Sequence, residues 1–315
     1  MRLTLKETAQ KLKTADKILV TAHINPDGDA LGSTLAMCQA LRQLGKIAQV
    51  YIDDKKRANL AFLPHTDEIK RPAEGEKFDA DLLLVLDTST DRIGKVRELT
   101  DAPILNVDHH VTNKNEVDDL YLEPNAAAAC EIVYKICREL GVTITPDIAL
   151  CIYTGIVTDT GFFNYSSTTP ETFRIAADLV ECGVKPHYVS EAVEKRTLND
   201  VKAMSAALQT METYFGGKVA GMYLDAETSK TVDTTEGFVD LIRVIDTVDV
   251  AFFMHCQAEN VIRVSLRSKG VNVSEIAQKL GGGGHIRAAG ATLRMNFDDA
   301  KKLLIDTLEK YFSQS

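Results

Sequence analysis

Apolar residues in the first half of the chain alternate between two patterns. Short continuous runs, KILVTA (17–22), IAQVYI (47–52), LLLVLD (82–87) and PILNVD (103–108), have strand length. Between and after them, ALGSTLAMCQALRQLG (30–45) and ACEIVYKICRELG (129–141) repeat apolar positions at helical spacing and end at a glycine. This alternation predicts an α/β fold with a parallel sheet wrapped by helices. After GFFNYSSTTPETF (161–173), two helices over 170–183 and 199–214 follow with no strand between them, so the first sheet ends there. Beyond them come a hairpin-like FGGKVAGMYL (215–224), strands VAFFMHCQ (250–257) and VIRVSLRS (261–268) joined by AEN, and helices VSEIAQKLG (273–281) and DDAKKLLIDTLEKYF (298–312). The expected organisation is a catalytic α/β domain over 1–192, a linker helix over 193–214 and a smaller α+β domain over 215–315, with a cleft between the domains. No repeats or low-complexity segments interrupt it.

Composition narrows the class. A chain of 315 residues with 45% apolar and 26% charged residues buries a substantial core. No apolar run reaches the ~20 residues of a membrane span. The opening MRLTLKETAQKLK reads as an amphipathic helix rather than a signal peptide, which predicts a soluble, cytoplasmic protein. Cysteines 38, 130, 137, 151, 182 and 256 form no C-x-x-C pair and fit reduced, packed thiols. A net charge of −9 without a basic stripe excludes a protein that tracks long duplex nucleic acid. A homodimer is left open.

Candidate chemistry concentrates where the apolar runs end. HINPDGD follows the first with His23, Asp27 and Asp29; LLLVLD ends at Asp87; ILNVDHH supplies Asp108, His109 and His110; and IYTGIVTDTG supplies Asp159. Each piece alone has a plain structural reading, since Asp27 and Gly28 make a turn and Asp29 or Asp159 a helix cap. Together, carboxylates at four neighbouring strand ends repel one another unless cations sit among them. Asp27 and Asp29, two apart in an extended loop, point to opposite sides and serve different ions. Asp87 is then the bridging carboxylate, His109 and Asp159 complete the second site, and His110 and Asp108 act behind the ligands or on substrate. Imidazole and carboxylate without thiolate favour Mn²⁺, with Mg²⁺ or Co²⁺ as substitutes. Two such ions suit phosphoester hydrolysis. His65, His187 and His255 read as surface or packed residues, and Met204, Leu208 and Met211 as core or interface.

The motifs HINPDGD, LDTS, VDHH and TGIVTDTG resemble the signature set of the DHH phosphoesterase family, and GGGGH (281–285) running into IRAAGAT is similar to its associated C-terminal domain. The resemblance covers nearly the whole chain. It implies two Mn²⁺ per chain, one held by His23 and Asp27 and the other by Asp29, His109 and Asp159, with Asp87 bridging and His110 beside the scissile phosphate. It is strongest to the two-domain branch that degrades very short oligoribonucleotides and removes the 3′-phosphate of 3′-phosphoadenosine 5′-phosphate (pAp). In that family the C-terminal motif binds nucleotide. Here the amides of Gly282, Gly283 and Gly284 can form an anion nest, His285 can meet a phosphate or a base, and Arg263, Arg267 and Arg287 add cations. A cleft with metals on one side and this nest on the other favours short substrates. Rival readings are a phosphodiesterase for linear or cyclic dinucleotides such as pGpG, pApA or c-di-AMP, a manganese pyrophosphatase, a longer single-strand exonuclease, and a nucleotide sensor without catalysis.

Overall fold

Three strands buried along most or all of their length form the centre of the first sheet: β1 (Lys17–Thr21), β3 (Leu82–Leu86) and β4 (Ile104–Asp108). They are flanked by β2 (Ile47–Val50) and β5 (Asp119–Leu122) in the order β2-β1-β3-β4-β5, all parallel. The computed structural model describes residues 1–55, 58–113, 117–232 and 234–312. Strand order reverses between β1 and β3, and at such a reversal crossover connections diverge and leave a crevice at the strand carboxyl ends. His23 follows β1, and Asp87 follows β3.

Helices α1 (Leu5–Thr14), α2 (Gly28–Gln43), α3 (Ala129–Leu140), α4 (Pro146–Asp159), α5 (Pro170–Glu181) and α6 (Pro186–Val193) all contribute to one core with Ile18, Val20, Leu84 and Val107. The opposite sheet face, with Leu19, Leu83 and Val85, is covered by Tyr51 and by short 3₁₀ turns carrying Ile93, Val96 and Leu99. Helices therefore gather mainly on one face, because the β3 to β4 connection holds only 3₁₀ turns. Two local expectations change. Asp159 ends a helix rather than a strand: Thr145 caps α4, Pro146 starts it, and its 14 residues exceed strand length. Strand β5 is only four residues long, begins at Asp119 and carries too little apolar signal to be read from sequence.

Helix α2 lies very close to α4. A Cβ on Gly32 would stand 2.4 Å from the Cys151 carbonyl oxygen, and one on Gly28 would stand 2.4 Å from Thr158 Oγ1. Alanine at a helical glycine usually stabilises by about 0.5–1 kcal/mol. At Gly32 the obstacle is backbone, so Gly32→Ala is expected to reverse that sign and destabilise by about 1–3 kcal/mol. Urea unfolding of both proteins checks this, and a midpoint equal to or above wild type would refute the close approach.

Contacts divide the chain into two compact units, Met1–Lys195 and Arg196–Ser315. The second begins with α7 (Leu198–Gln209), whose Ala203 and Ala207 pack with Ala220, Met222 and Phe253. This helix stops at Gln209, five residues before the sequence pattern suggested, and β6 (Glu212–Tyr214) follows. Of the expected apolar stripe, Met204 packs against that core, while Leu208 and Met211 are exposed. The remaining elements are β7 (Val219–Leu224), short helices α8 (Ala226–Ser229) and α9 (Asp240–Arg243), β8 (Val250–Ala258), β9 (Val261–Ser268), α10 (Val273–Lys279), β10 (Gly283–Gly284), β11 (Ala288–Leu293) and α11 (Phe297–Phe312). The sheet runs β10-β11-β9-β8-β7-β6, with only the β7–β8 pair parallel. Among the described residues, no helix is long and apolar enough to cross a membrane. All six cysteines are free, and four are buried.

Candidate functional site

The residues expected at the ends of four elements meet in the first unit. Ligand-type atoms of His23, Asp27 and Asp87 lie within 4.8 Å of one another, as do those of Asp29, His109 and Asp159, and those of Asp87, Asp108, His109 and His110. Asp87 stands between two imidazoles: its Oδ2 is 3.5 Å from His23 Nε2 and its Oδ1 is 3.3 Å from His109 Nε2. His109 Nε2 also approaches Asp159 at 3.6 Å and Asp29 at 3.8 Å, and His23 Nε2 approaches Asp27 at 3.7 Å.

Backbone partners aim these side chains. His23 Nδ1 faces the Ile24 carbonyl at 2.8 Å and His109 Nδ1 the Ala126 carbonyl at 3.2 Å; a carbonyl only accepts, so each Nδ1 carries the proton and Nε2 faces the carboxylates. Asp27 has two functions at once. Its Oδ1 caps α2 by accepting from the amides of Asp29 and Ala30, which leaves Oδ2 toward His23. Asp29, expected as a ligand and with a helix cap as its plain structural alternative, lies in the first turn of α2, where Asp27 is the cap, and accepts from the Ala129 and Cys130 amides at 2.6 and 2.9 Å. Its carboxylate therefore sits on the N-terminus of α3, where the helix dipole favours negative charge.

Like charge is crowded here. Loss of hydration, followed by the charges of Asp87 and Asp159, pushes the buried Asp29 carboxyl well above the usual carboxylate range. Asp159 is pushed up to about 6, chiefly by desolvation, with His109 pulling the other way. Burial also opposes ionisation of Asp87, yet hydrogen bonding to His109 and His23 outweighs it and holds this carboxyl well below the ordinary value. The same pairing raises His23 to about 9 against the opposing effect of burial. Two imidazole nitrogens and a set of carboxylates without thiolate suit hard-to-borderline divalent cations, and cations relieve this repulsion. The residues present thus fit divalent metal ions.

The full length of the chain has a known counterpart. It is 34% identical over 99% of its length, and 95% of the other protein, to the bifunctional oligoribonuclease and PAP phosphatase NrnA of Thermus thermophilus. Residues 17–156 match the DHH family, N-terminal domain, and residues 216–314 match the DHHA1 domain. The chain belongs to the DHH family. A second relative, the NrnA of Bacillus subtilis, is 27% identical over 95% of this chain and 96% of its own. Among solved structures, an exopolyphosphatase-related protein from Bacteroides fragilis superposes with a TM-score of 0.87 at 27% identity, covering 98% of this chain and 96% of that one.

In the DHHA1 domain, Arg263 and Arg267 share the less buried face of β9. Arg263 Nη1 donates to Thr292 Oγ1 at 3.3 Å, and Arg267 Nη1 donates to the Leu266 carbonyl at 3.1 Å, with its Nε 3.7 Å from Asp240. Arg287 is half-buried, and its Nη1 makes no hydrogen bond among the described residues. His285 lies in the turn between β10 and β11, its amide donating to Ala288 at 2.8 Å.

The four glycines divide differently from the expected open backbone surface. Gly281, at φ +75°, closes α10: its amide donates to Gln278 and that of Gly282 to Ala277. A Cβ on Gly282 would meet the Gly290 carbonyl oxygen at 2.1 Å, and one on Gly284 the Ala288 carbonyl oxygen at 2.6 Å. Only a Cβ on Gly283 would point into open space without a left-handed backbone. The neighbouring strand therefore accounts for Gly282 and Gly284.

Sequence reasoning in the DHH domain missed the groups behind the ligands. Asn113 donates to Asp108 Oδ2 and to Asn106 Oδ1, and a Cβ on Gly155 of α4 would press on Asp29 Oδ1 at 2.7 Å. Their signal, two asparagines flanking VDHH and a glycine four residues before Asp159, was present but had no chemistry attached to it.

Proposed function

We propose that this protein is a divalent-cation-dependent phosphoesterase that hydrolyses very short oligoribonucleotides to mononucleotides and removes the 3′-phosphate of pAp. One observation carries the reading: the two oxygens of Asp87 face separate imidazoles, so this carboxylate joins two ligand groups. The printed names of the Thermus and Bacillus relatives support the substrate class. Two Mn²⁺ ions, with Mg²⁺ or Co²⁺ as substitutes, would be held by His23 and Asp27 on one side and by Asp29, His109 and Asp159 on the other, with Asp87 shared, and would supply Lewis acidity and a water of lowered pKa.

The protein's own groups do the rest. Asp108 Oδ1 accepts from His110 Nδ1 at 2.8 Å, which leaves Nε2 as the ring nitrogen available to substrate. Burial of Asp108 is outweighed by that hydrogen bond and by the His110 charge, which keep it below the ordinary carboxylate range. Through Nδ1, Asp108 fixes the orientation of the His110 ring, so that Nε2 meets the reacting phosphate in one placement. In the second domain, Arg263, Arg267, Arg287 and His285 hold a terminal phosphate and a base, while the amide of Gly282 is already committed to the Ala277 carbonyl. This assigns catalysis to residues 1–192, joined through 193–214 to a substrate domain over 215–315. Six free cysteines fit a reducing compartment, so we place the protein in the cytoplasm.

Hydrolysis in Mn²⁺ of four substrates tests the reading: an RNA dinucleotide, an RNA of two dozen nucleotides, pAp and pyrophosphate. Preference for the dinucleotide and pAp is expected. Cleavage of pyrophosphate alone, or of the long RNA as fast as the dinucleotide, would refute it.

A further inference from the structure

Behind the site lies a chain of amides that none of the chemistry above uses. Asn106, fully buried on β4, donates from Nδ2 to the carbonyl oxygens of Val85 at 3.0 Å and Thr88 at 2.8 Å. Those carbonyls flank Asp87, which sits at φ +60°, a left-handed conformation that non-glycine residues rarely adopt. The Asp87 amide in turn donates to the Val107 carbonyl at 3.1 Å. Asn106 thus braces the turn that presents Asp87 from both sides of that residue.

Its other end leads to His110. Asn113 Nδ2 lies 2.7 Å from Asn106 Oδ1 and 2.6 Å from Asp108 Oδ2. Both neighbours are acceptors, so the amide nitrogen of Asn113 must face them. The two carbonyls at Val85 and Thr88 likewise fix the orientation of Asn106. Asp108 Oδ1 accepts from the amides of His109 and His110 at 2.8 and 3.2 Å and from His110 Nδ1. Through Oδ2 the carboxylate has Asn113 as a partner, and so its rotation is tied to Asn106.

We propose that Asn106 and Asn113 are positioning residues that lock the Asp87 turn and the Asp108–His110 pair to each other, so that the shared carboxylate and the substrate-facing imidazole keep one relative placement. A fully satisfied buried polar network specifies a single arrangement, whereas a partly satisfied one does not. The proposal rests on the phosphoesterase reading for its kinetic arm only.

The test uses Asn113, because it is half-buried and Asn106 is fully enclosed. Asn113→Asp keeps shape but sets a carboxylate against Asp108 Oδ2 and Asn106 Oδ1, whereas Asn113→Ala only removes the donor. If the donor matters, the isosteric variant is the more damaging one. On an RNA dinucleotide, Asn113→Asp is expected to lower kcat about 10–100-fold with KM within about twofold of wild type, and Asn113→Ala to lower it less. In the metal-free protein, ¹⁵N signals of the His110 ring are expected to show one tautomer with the proton on Nδ1 in wild type, and a mixture in Asn113→Asp. Damage in Asn113→Ala equal to or greater than in Asn113→Asp, a loss confined to KM, or an unchanged His110 tautomer would overturn the proposal. If wild type leaves the dinucleotide intact, the phosphoesterase reading fails, while the tautomer comparison still decides the positioning role.

Discussion

Replacing Asp87 with asparagine is expected to lower hydrolysis of an RNA dinucleotide by about a thousandfold or more, or roughly 4 kcal/mol of transition-state stabilisation. The substitution keeps the side-chain shape, and asparagine tolerates the left-handed φ of +60° found there, so the fold should survive. What disappears is the anionic oxygen facing His23 and its partner facing His109. A cation that binds the folded protein at a hundred times its dissociation constant stabilises it by about 2.7 kcal/mol, which for a domain of this size is a rise of about 5–10 °C in Tm. Wild type is expected to show that rise on addition of Mn²⁺, and Asp87→Asn to lose most of it. Melting curves with and without Mn²⁺, run beside the rate assay, separate ligand loss from misfolding. Appreciable residual activity together with a wild-type shift would remove Asp87 from its shared role.

Arg267→Ala is expected to raise KM for the RNA dinucleotide about 10–100-fold, the loss of one charge-assisted contact of about 1.5–3 kcal/mol. The fold has reason to tolerate it. Asp240, 3.7 Å from Arg267 Nε, retains a 3.1 Å contact with Arg243, so truncation does not strand a carboxylate. A small activated phosphodiester, which offers no second phosphate or base, should be turned over at close to the wild-type rate. Equal losses on the two substrates would show that Arg267 acts on the reacting centre or on the fold rather than on the distant end of the substrate.

Much of this site was legible because each ligand is adjacent to an unmistakable apolar run. KILVTA, LLLVLD and ILNVDHH fix where three strands end, and the sheet edge then collects His23, Asp87 and His109 without further information. Asp159 was placed correctly in the cluster but on the wrong kind of element. Its run is apolar throughout because α4 is buried against α2, and burial on all sides erases the periodicity that distinguishes a helix from a strand. GGGGH was legible as a motif, whereas the demands of β11 on Gly282 and Gly284 were not, since a glycine required by a neighbouring strand looks the same in sequence as one required by a ligand.

The sequence by itself determined the donor types, their attachment to strand ends, the order of the two domains and the absence of a thiolate in the ligand set. These follow from local pattern: strand-length runs, helical spacing and residue chemistry are properties of neighbours along the chain. Tertiary structure alone decided which oxygen of Asp87 faces which imidazole, that Asp29 rests on the amides of Ala129 and Cys130 about a hundred positions away, and that Asn106 braces a left-handed turn on the adjacent strand. Those are contacts of sub-ångström consequence between residues remote in sequence, and they exist only once packing has fixed the distance between the elements that carry them.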